Sequence, residues 1–541
     1  MRTRSHGPVR LLALLAALAM VLAACGGNGD ADTTTTTAAA TTTTAASGDT
    51  TTTTAPDEGD ATGGTLRVGV RDDVQRWDSS RLQGVLFPFH RNLYDTLADY
   101  VDGLNAQPML ATGWEISDAQ DSVTITLREG VLFHSGREMT AEDIAANLAY
   151  FIDPETGNQV FGPTDGAVQD WEVTGPYEIV VNFKQPIAEL QITDLLTSWA
   201  IGDPEFFDSY DTQAQGTGPF KFVQWTPGES VTLEAHTEYW GDGPYVDTIE
   251  YRIFGDADAM VSALEAGDID VLYSPRALDA SRLEGQGYTV VVAPAGAIID
   301  QLRLQPVGQP PLDNIDIRMM LNYATDMVSI NEAIYGGLGT PLRLPYAPTS
   351  PAYDQALASS LEYDLDKARE HLEASGLPES EWTATIMTSS ASTEAQLVSQ
   401  ILQQALAQIG FTLEIDLQDA ATASDRYFNG DYQIYWSGIG NAQKYPTRIS
   451  TNSIYRHTGN PIFDMEATFP DYTAAINAAN AAVTAEEQAA TFAELNRSIV
   501  DNMFVVSGIA RPMLALTAPN ITGAYKDIDA QERYHLVRIE N

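Results

Sequence analysis

The chain has 541 residues and one cysteine, Cys25. No internal disulfide can form and no cysteine-ligated zinc centre can be built, so the core must hold by packing alone. Basic residues are also scarce, with 29 Lys+Arg against 74 Asp+Glu and a formal net charge of -45. A chain without a basic footprint is not a nucleic-acid binder. The acid is spread along the whole length, which reads as a solvated, self-repelling surface rather than a site. Long apolar runs are missing too. The first, residues 11–23, is too short to cross a bilayer as a helix, and no later segment is long and apolar enough. No Gly-x-Ser-x-Gly elbow or His-Glu-x-x-His pair occurs, so a secreted hydrolase, the rival class for a large α/β chain, has no motif behind it.

What is present begins at the N-terminus. Arg2, Arg4 and Arg10 precede the apolar stretch, and Leu22-Ala23-Ala24-Cys25 closes it. Basic start, short apolar core and small residues at a cut point predict a secretory signal over residues 1–24. A cysteine directly after that cut resembles a bacterial lipoprotein signal. The resemblance implies diacylglycerol on the Cys25 thiol and attachment to the outer face of the cell membrane. Residues 25–63 follow as a lipidated start and linker. They contain threonine runs at 33–37, 41–44 and 50–54 and no aromatic residue. Such a segment cannot bury enough apolar surface to offset chain entropy and reads as a stalk.

From residue 64 onward there is room for two or three domains. Alternating apolar residues predict strands at Thr65–Val70, Ser122–Leu127, residues 177–183, Ser230–Ala235 and residues 411–417. Thr140 with Asp143 resembles a capping box ahead of Ile144, Leu148 and Phe151. Asp364 caps a helix carrying Leu365, Ala368 and Leu372, which Gly376 ends. Leu397, Ile401 and Ala405 mark another helix stopping at Gly410. Ile317, Met320, Leu321 and Ala324 mark a further one, and residues 471–506 read as mostly helical. The mix predicts an α/β chain with several mixed sheets.

Seven stretches in order then resemble the solute-binding proteins of ABC importers, in the large peptide- and nickel-binding family. They are Gly63-Gly64-Thr65-Leu66-Arg67-Val68-Gly69; Leu93-Tyr94-Asp95-Thr96-Leu97 with the stretch from Pro108 to Trp114; the stretch from Leu127 to Gly136 with Met139-Thr140-Ala141-Glu142-Asp143; Gly216-Thr217-Gly218-Pro219-Phe220 with Tyr239-Trp240; the stretch from Ala263 to Asp270; the stretch from Asp316 to Asp326 with Tyr335-Gly336-Gly337; and the stretch from Tyr363 to Leu372 with Ala374-Ser375-Gly376. The resemblance implies a hinge-linked, two-lobed periplasmic-binding-protein fold with an extra domain inserted in the first lobe. Lobe I would comprise residues 64–94, 211–300 and 509–541. The inserted domain would be 95–210 and lobe II 301–508. Asp300, Gln301 and Arg511 would be the hinge crossings. The implied partners are a small solute or peptide, the permease and ATPase subunits, and the membrane through the lipid. The implied protein is a monomer with no cofactor, no metal and no catalysis. A chemosensory or chaperone role on the same fold stays open at this point.

The resemblance also implies where a ligand sits. The loop after the first strand offers Leu82, Gln83 and Phe87. The segment after Gly430 offers Trp436, Ile439, Tyr445 and Arg448, and aromatic faces there can stack on sugars, peptide planes or cations. Dipeptide and oligopeptide binders in the family carry an acid soon after Trp-Ser/Thr-Gly, paired with the ligand's amino terminus. Here Ile439 directly follows Trp436-Ser437-Gly438, and Tyr445-Pro446 stands where many relatives have Asp-Pro. An unpaired ammonium in a closed cleft is costly, so a free peptide amino terminus is disfavoured. Lys444 and Arg448 point instead to an anionic or polar group, with simple solvent exposure as the alternative for either. His457 alone is a weak metal signal, and His134 reads as architectural.

Overall fold

The structure is a computed structural model that describes residues 63–80, 87–156, 160–440 and 444–540. Cys25, Leu82 and Gln83 lie outside the described residues. Three main sheets organise the chain. The first has seven strands in the order Thr289–Val292, Leu514–Thr517, Val271–Tyr273, Thr65–Val70, Thr248–Ile253, Ser230–Ala235 and Phe220–Thr226. Its central strand, Thr65–Val70, runs parallel to both neighbours, with Val68 facing Tyr251 on one side and Val271 on the other. A strand hemmed in on both edges must be apolar, and Leu66, Val68 and Val70 are buried.

A second sheet has six strands, in the order Thr340–Pro341, Val505–Ala510, Ile298–Leu304, Ile434–Gly440, Thr383–Ser389 and Thr412–Gln418. The last three are mutually parallel, and the rest pair antiparallel. The helix Thr393–Ala407 connects the parallel pair Thr383–Ser389 and Thr412–Gln418. Antiparallel neighbours can be joined by a tight turn, but parallel ones need such a crossover. A third, four-stranded antiparallel sheet, Ala111–Ile116, Ser122–Leu127, Glu178–Phe183 and Val168–Gly175, packs on helices Ala141–Phe151 and Glu189–Ser198 around its own core of Leu110, Ile125, Phe133, Ile144 and Trp199.

The chain passes from the first sheet to the second between Val292 and Ile298, and back between Ala510 and Leu514. Arg511 lies in the returning segment. Asp300 and Gln301 do not lie in the outgoing one. Both are inside Ile298–Leu304, where Asp300 faces Gly438 and Ile509. The crossing therefore falls earlier, at residues 293–297, where Pro294 and Gly296 interrupt the strand pattern before it resumes.

Local signals in the sequence appear as hydrogen bonds. Thr140 and Asp143 form the reciprocal capping box, and the Asp364 carboxylate accepts from the Asp366 and Lys367 amides, both at 3.0 Å. Residues 471–506 resolve into helices Pro470–Ala481 and Ala485–Asn502 and then the start of strand Val505–Ala510. No helix among the described residues is long and apolar enough to cross a membrane.

Candidate functional site

The strand Ile434–Gly440 carries the residues expected to face a ligand. Trp436 lies opposite Leu302, is 6 % exposed and belongs to the large core of the second sheet. Ile439, at the position where peptide-binding relatives place an acid, is buried opposite Ile299. The apolar side chain is absorbed by the core, and no carboxylate replaces it on this strand. Tyr445 is likewise interior. Its ring packs edge-on to Phe492, centroids 5.9 Å apart, and its hydroxyl donates to the Ala479 carbonyl. Burial pushes that hydroxyl up to about 12, so it stays neutral. Phe87 is half-buried beside the C-terminal segment, where its carbonyl accepts the Glu532 amide at 3.3 Å.

Lys444 and Arg448 are where the sequence reading needs correcting. Neither offers a free positive charge. Lys444 is buried, with Nζ 2.9 Å from Asp529 Oδ2 and 3.9 Å from Asp194 Oδ1, and it lies over the Tyr100 ring. Arg448 Nε is 3.6 Å from Asp194 Oδ2. Asp194 comes from helix Glu189–Ser198 of the four-stranded domain. Asp529 comes from the turn between the short strands Tyr525–Lys526 and Glu532–Arg533, a hairpin near the C-terminus.

That hairpin is dense in buried charge. Asp527 pairs with Arg91 at 3.4 Å and Arg533 at 3.1 Å, and Arg533 reaches Asp99 at 2.7 Å. Arg91 is also 3.7 Å from Asp529, and Lys526 pairs with Glu532 at 3.1 Å. Burial pushes the Asp527 carboxyl up, against the pull of Arg533 and Arg91. Next to Arg91, burial and the Arg91 charge hold His90 down to about 4, and its Nε2 meets the Ser79 carbonyl at 2.7 Å. Gln531, beside His90, is fully buried. Asp194, Asp529, Arg91 and Gln531 were not legible as site residues. The one local signal was charge of both signs packed into residues 526–533.

At the returning crossing, Arg511 donates to both Asp300 oxygens, Nε at 2.9 Å and Nη2 at 2.6 Å, and Tyr335 donates a third bond at 2.5 Å. Burial works against the guanidinium charge, but Asp300 outweighs it and raises Arg511 further. Gln301 donates to the Tyr455 hydroxyl.

The described residues also form concavities elsewhere. One, of about 400 Å³, is lined by Leu104, Trp114 and Thr193 from the four-stranded domain and by Val483, Thr484 and Gln488 from the second lobe. The other, of about 440 Å³ and open to solvent, is lined by residues 457–466. His457 sits there half-buried, its imidazole pushed down by burial. No group of three or more metal-binding side chains occurs among the described residues. His134 accepts the Gly216 amide at Nδ1 and meets the Gly218 carbonyl with Nε2, an architectural pairing.

Comparison with known proteins fits this geometry. A glutathione-binding protein of Salmonella paratyphi A is 28 % identical over 343 residues, which are 62 % of this chain and 65 % of the relative, just under two thirds of its length. An ABC transporter-associated periplasmic binding protein from Helicobacter pylori, solved with the peptide STSA, superposes with TM-score 0.73 at 22 % identity, covering 89 % of this chain and 99 % of that one. An ABC transporter substrate-binding protein from Listeria monocytogenes superposes with TM-score 0.78 at 19 % identity, covering 89 % and 100 %. The structural likeness establishes the two-lobed periplasmic-binding-protein fold. The model of bacterial extracellular solute-binding proteins, family 5, matches residues 105–460, more than half of the chain, and the chain belongs to that family.

Proposed function

We propose that this protein is the extracytoplasmic solute receptor of an ABC importer. It captures a small polar solute between its two lobes and delivers it to a permease driven by ATPase subunits. The observation that carries the reading is the paired crossing at 293–297 and 511–513 between the seven-stranded and six-stranded sheets. Two connecting segments side by side allow one lobe to rotate against the other, the motion that encloses a ligand. Lobe I is taken as residues 64–94, 211–292 and 514–541, the inserted domain as 95–210 and lobe II as 298–510. This moves the first border ahead of Asp300 and Gln301.

The solute class follows from what the cleft strand lacks. Relatives include glutathione- and peptide-binding proteins, so a peptide-like solute is the leading candidate. With Ile439 buried in place of an acid, the solute is held without an ammonium anchor on that strand. Phe87 supplies wall rather than charge. The protein acts as a monomer without cofactor or catalysis, tethered to the outer face of the cell membrane through lipid on Cys25.

Thermal melting of the whole chain against peptides, blocked peptides, oligosaccharides, amines and metal chelates tests the ligand claim. A true ligand at a hundred times its Kd adds about 2.7 kcal/mol and raises Tm. A free dipeptide that raises Tm and loses the effect on N-acetylation would overturn the missing-anchor argument. Incorporation of labelled palmitate, abolished in Cys25→Ser together with membrane retention, is the outcome expected for the tether.

A further inference from the structure

The ion pairs of Lys444 and Arg448 run across the lobe boundary. Among the described residues on the side of lobe I and the inserted domain, Arg91 and Arg533 pair with Asp99, Asp527 and Asp529 but not with Asp194, and the buried Asp95 also acts on Arg533. The Lys526–Glu532 pair is neutral by itself. Lobe II contributes Lys444 and Arg448, about +2. Both of these cations have their ion-pair partners across the lobe boundary. Asp194 is the sharpest case. It is 1 % exposed and, among the described residues, its ion pairs are with Lys444 and Arg448 alone.

We infer that Lys444 and Arg448 form a charge lock that closes the cleft, with Asp194 and Asp529 as its counter-charges, rather than an anchor for an anionic solute. Bringing the lobes together is the step that neutralises Asp194. A carboxylate dehydrated without a partner is costly, so a closed form lacking either cation is strongly disfavoured. Complementary charge across a boundary also fixes register between the faces. The cations are occupied by the protein itself, so a solute carboxylate gains no site there. The lock thus selects against solutes that rely on an anion at this place. This rests on the reading of the protein as a two-lobed solute receptor, but its test uses no solute.

The protein's single cysteine makes the measurement direct. In the whole chain carrying Cys25→Ser, new cysteines at the exposed positions Ala119 and Ala489 straddle the groove between Gln120 and Gln488. A donor–acceptor dye pair on them reads lobe separation in single molecules without ligand. The wild-type lock gives a populated short-distance state. Lys444→Met with Arg448→Met lowers the ratio of short to long states roughly a hundredfold, the scale of an uncompensated buried charge. Lys444→Asp opens the lobes, and adding Asp529→Lys closes them again. Equal short-state populations in wild type and the Met pair overturn the lock. So does a swap pair that stays open with an unchanged Tm. If the swap pair melts early, the Met pair decides alone, since methionine retains the apolar stem of either cation. Failure to find any solute would count against the receptor reading and leave these distances unaffected.

Discussion

Gly508 sits where the strand Val505–Ala510 passes Asp300, and a Cβ there would lie 1.7 Å from the Asp300 carbonyl oxygen. Backbone cannot yield as a side-chain tip does. Gly508→Ala should therefore cost roughly 1–3 kcal/mol or more, the range for overpacking, read as a lower midpoint in urea with unchanged slope. His134 presents the opposite case, a residue whose chemistry is visible only through pH. Burial holds its imidazole down to about 3, against an ordinary value of 6.5. The folded chain thus keeps His134 neutral while the unfolded chain takes up a proton below pH 6.5. Stability is complete above that value and is lost as pH falls toward 3. His90 and His535, each held down to about 4 chiefly by burial, act in the same direction. His134→Gln can preserve the bonds to Gly216 and Gly218 without a titrating ring. It should flatten the loss of Tm between pH 6 and 4 while leaving pH 8 within about 1 kcal/mol. An unchanged acid slope in this variant would assign the acid sensitivity to other groups.

At the scale of elements, the strand Ile434–Gly440 decides how the site is read. Trp436 is nearly as buried as the core around it, so Trp436→Ala should cost about 3–5 kcal/mol of stability, measured by denaturant melts, before any effect on a ligand is considered. If stability is unchanged while solute affinity drops, the indole belongs to the cleft wall instead. Much of the secondary structure was legible because its causes are local. Period-two patterns gave Thr65–Val70 and Ser122–Leu127, and the carboxylates of Asp143 and Asp364 announced two helix starts by the bonds they accept. The charge lock was not legible because its partners are far apart in sequence. Arg448 and Asp194 meet across 254 residues, and nothing beside either predicts the other. Lys444 in isolation looks like any exposed lysine, and its burial is a property of the lobes meeting. The crossing point was missed by a few residues for a related reason. Residues 298–304 read as strand, but the sequence does not reveal which sheet they join.

Over the whole molecule, a net charge of -45 repels itself, and the lobes can close only where that repulsion is locally reversed. Lys444 and Arg448 supply such a reversal in the proposed lock, and a separate cluster of Asp300, Arg511 and Tyr335 is built at the returning segment. Asp300 belongs to the strand that follows the first crossing and Arg511 to the returning segment, so their pair fastens the second crossing to that strand. Asp300 is 1 % exposed, and removing the guanidinium leaves its carboxylate with the Tyr335 hydroxyl as its remaining side-chain donor. The cost of such an under-satisfied buried acceptor is about 1–3 kcal/mol. Because the strands on either side remain paired, the loss should be local rather than global. Arg511→Met is therefore expected to speed amide exchange at residues 298–300 and 509–511 by about ten- to a hundredfold. Exchange in Thr383–Ser389 and Thr412–Gln418, on the far side of the same sheet, should keep its wild-type rate. The same variant should broaden the distribution of lobe separations without removing the closed state, since the lock is untouched. Uniform acceleration across the whole second sheet would mean that the pair supports the sheet itself and not the crossing.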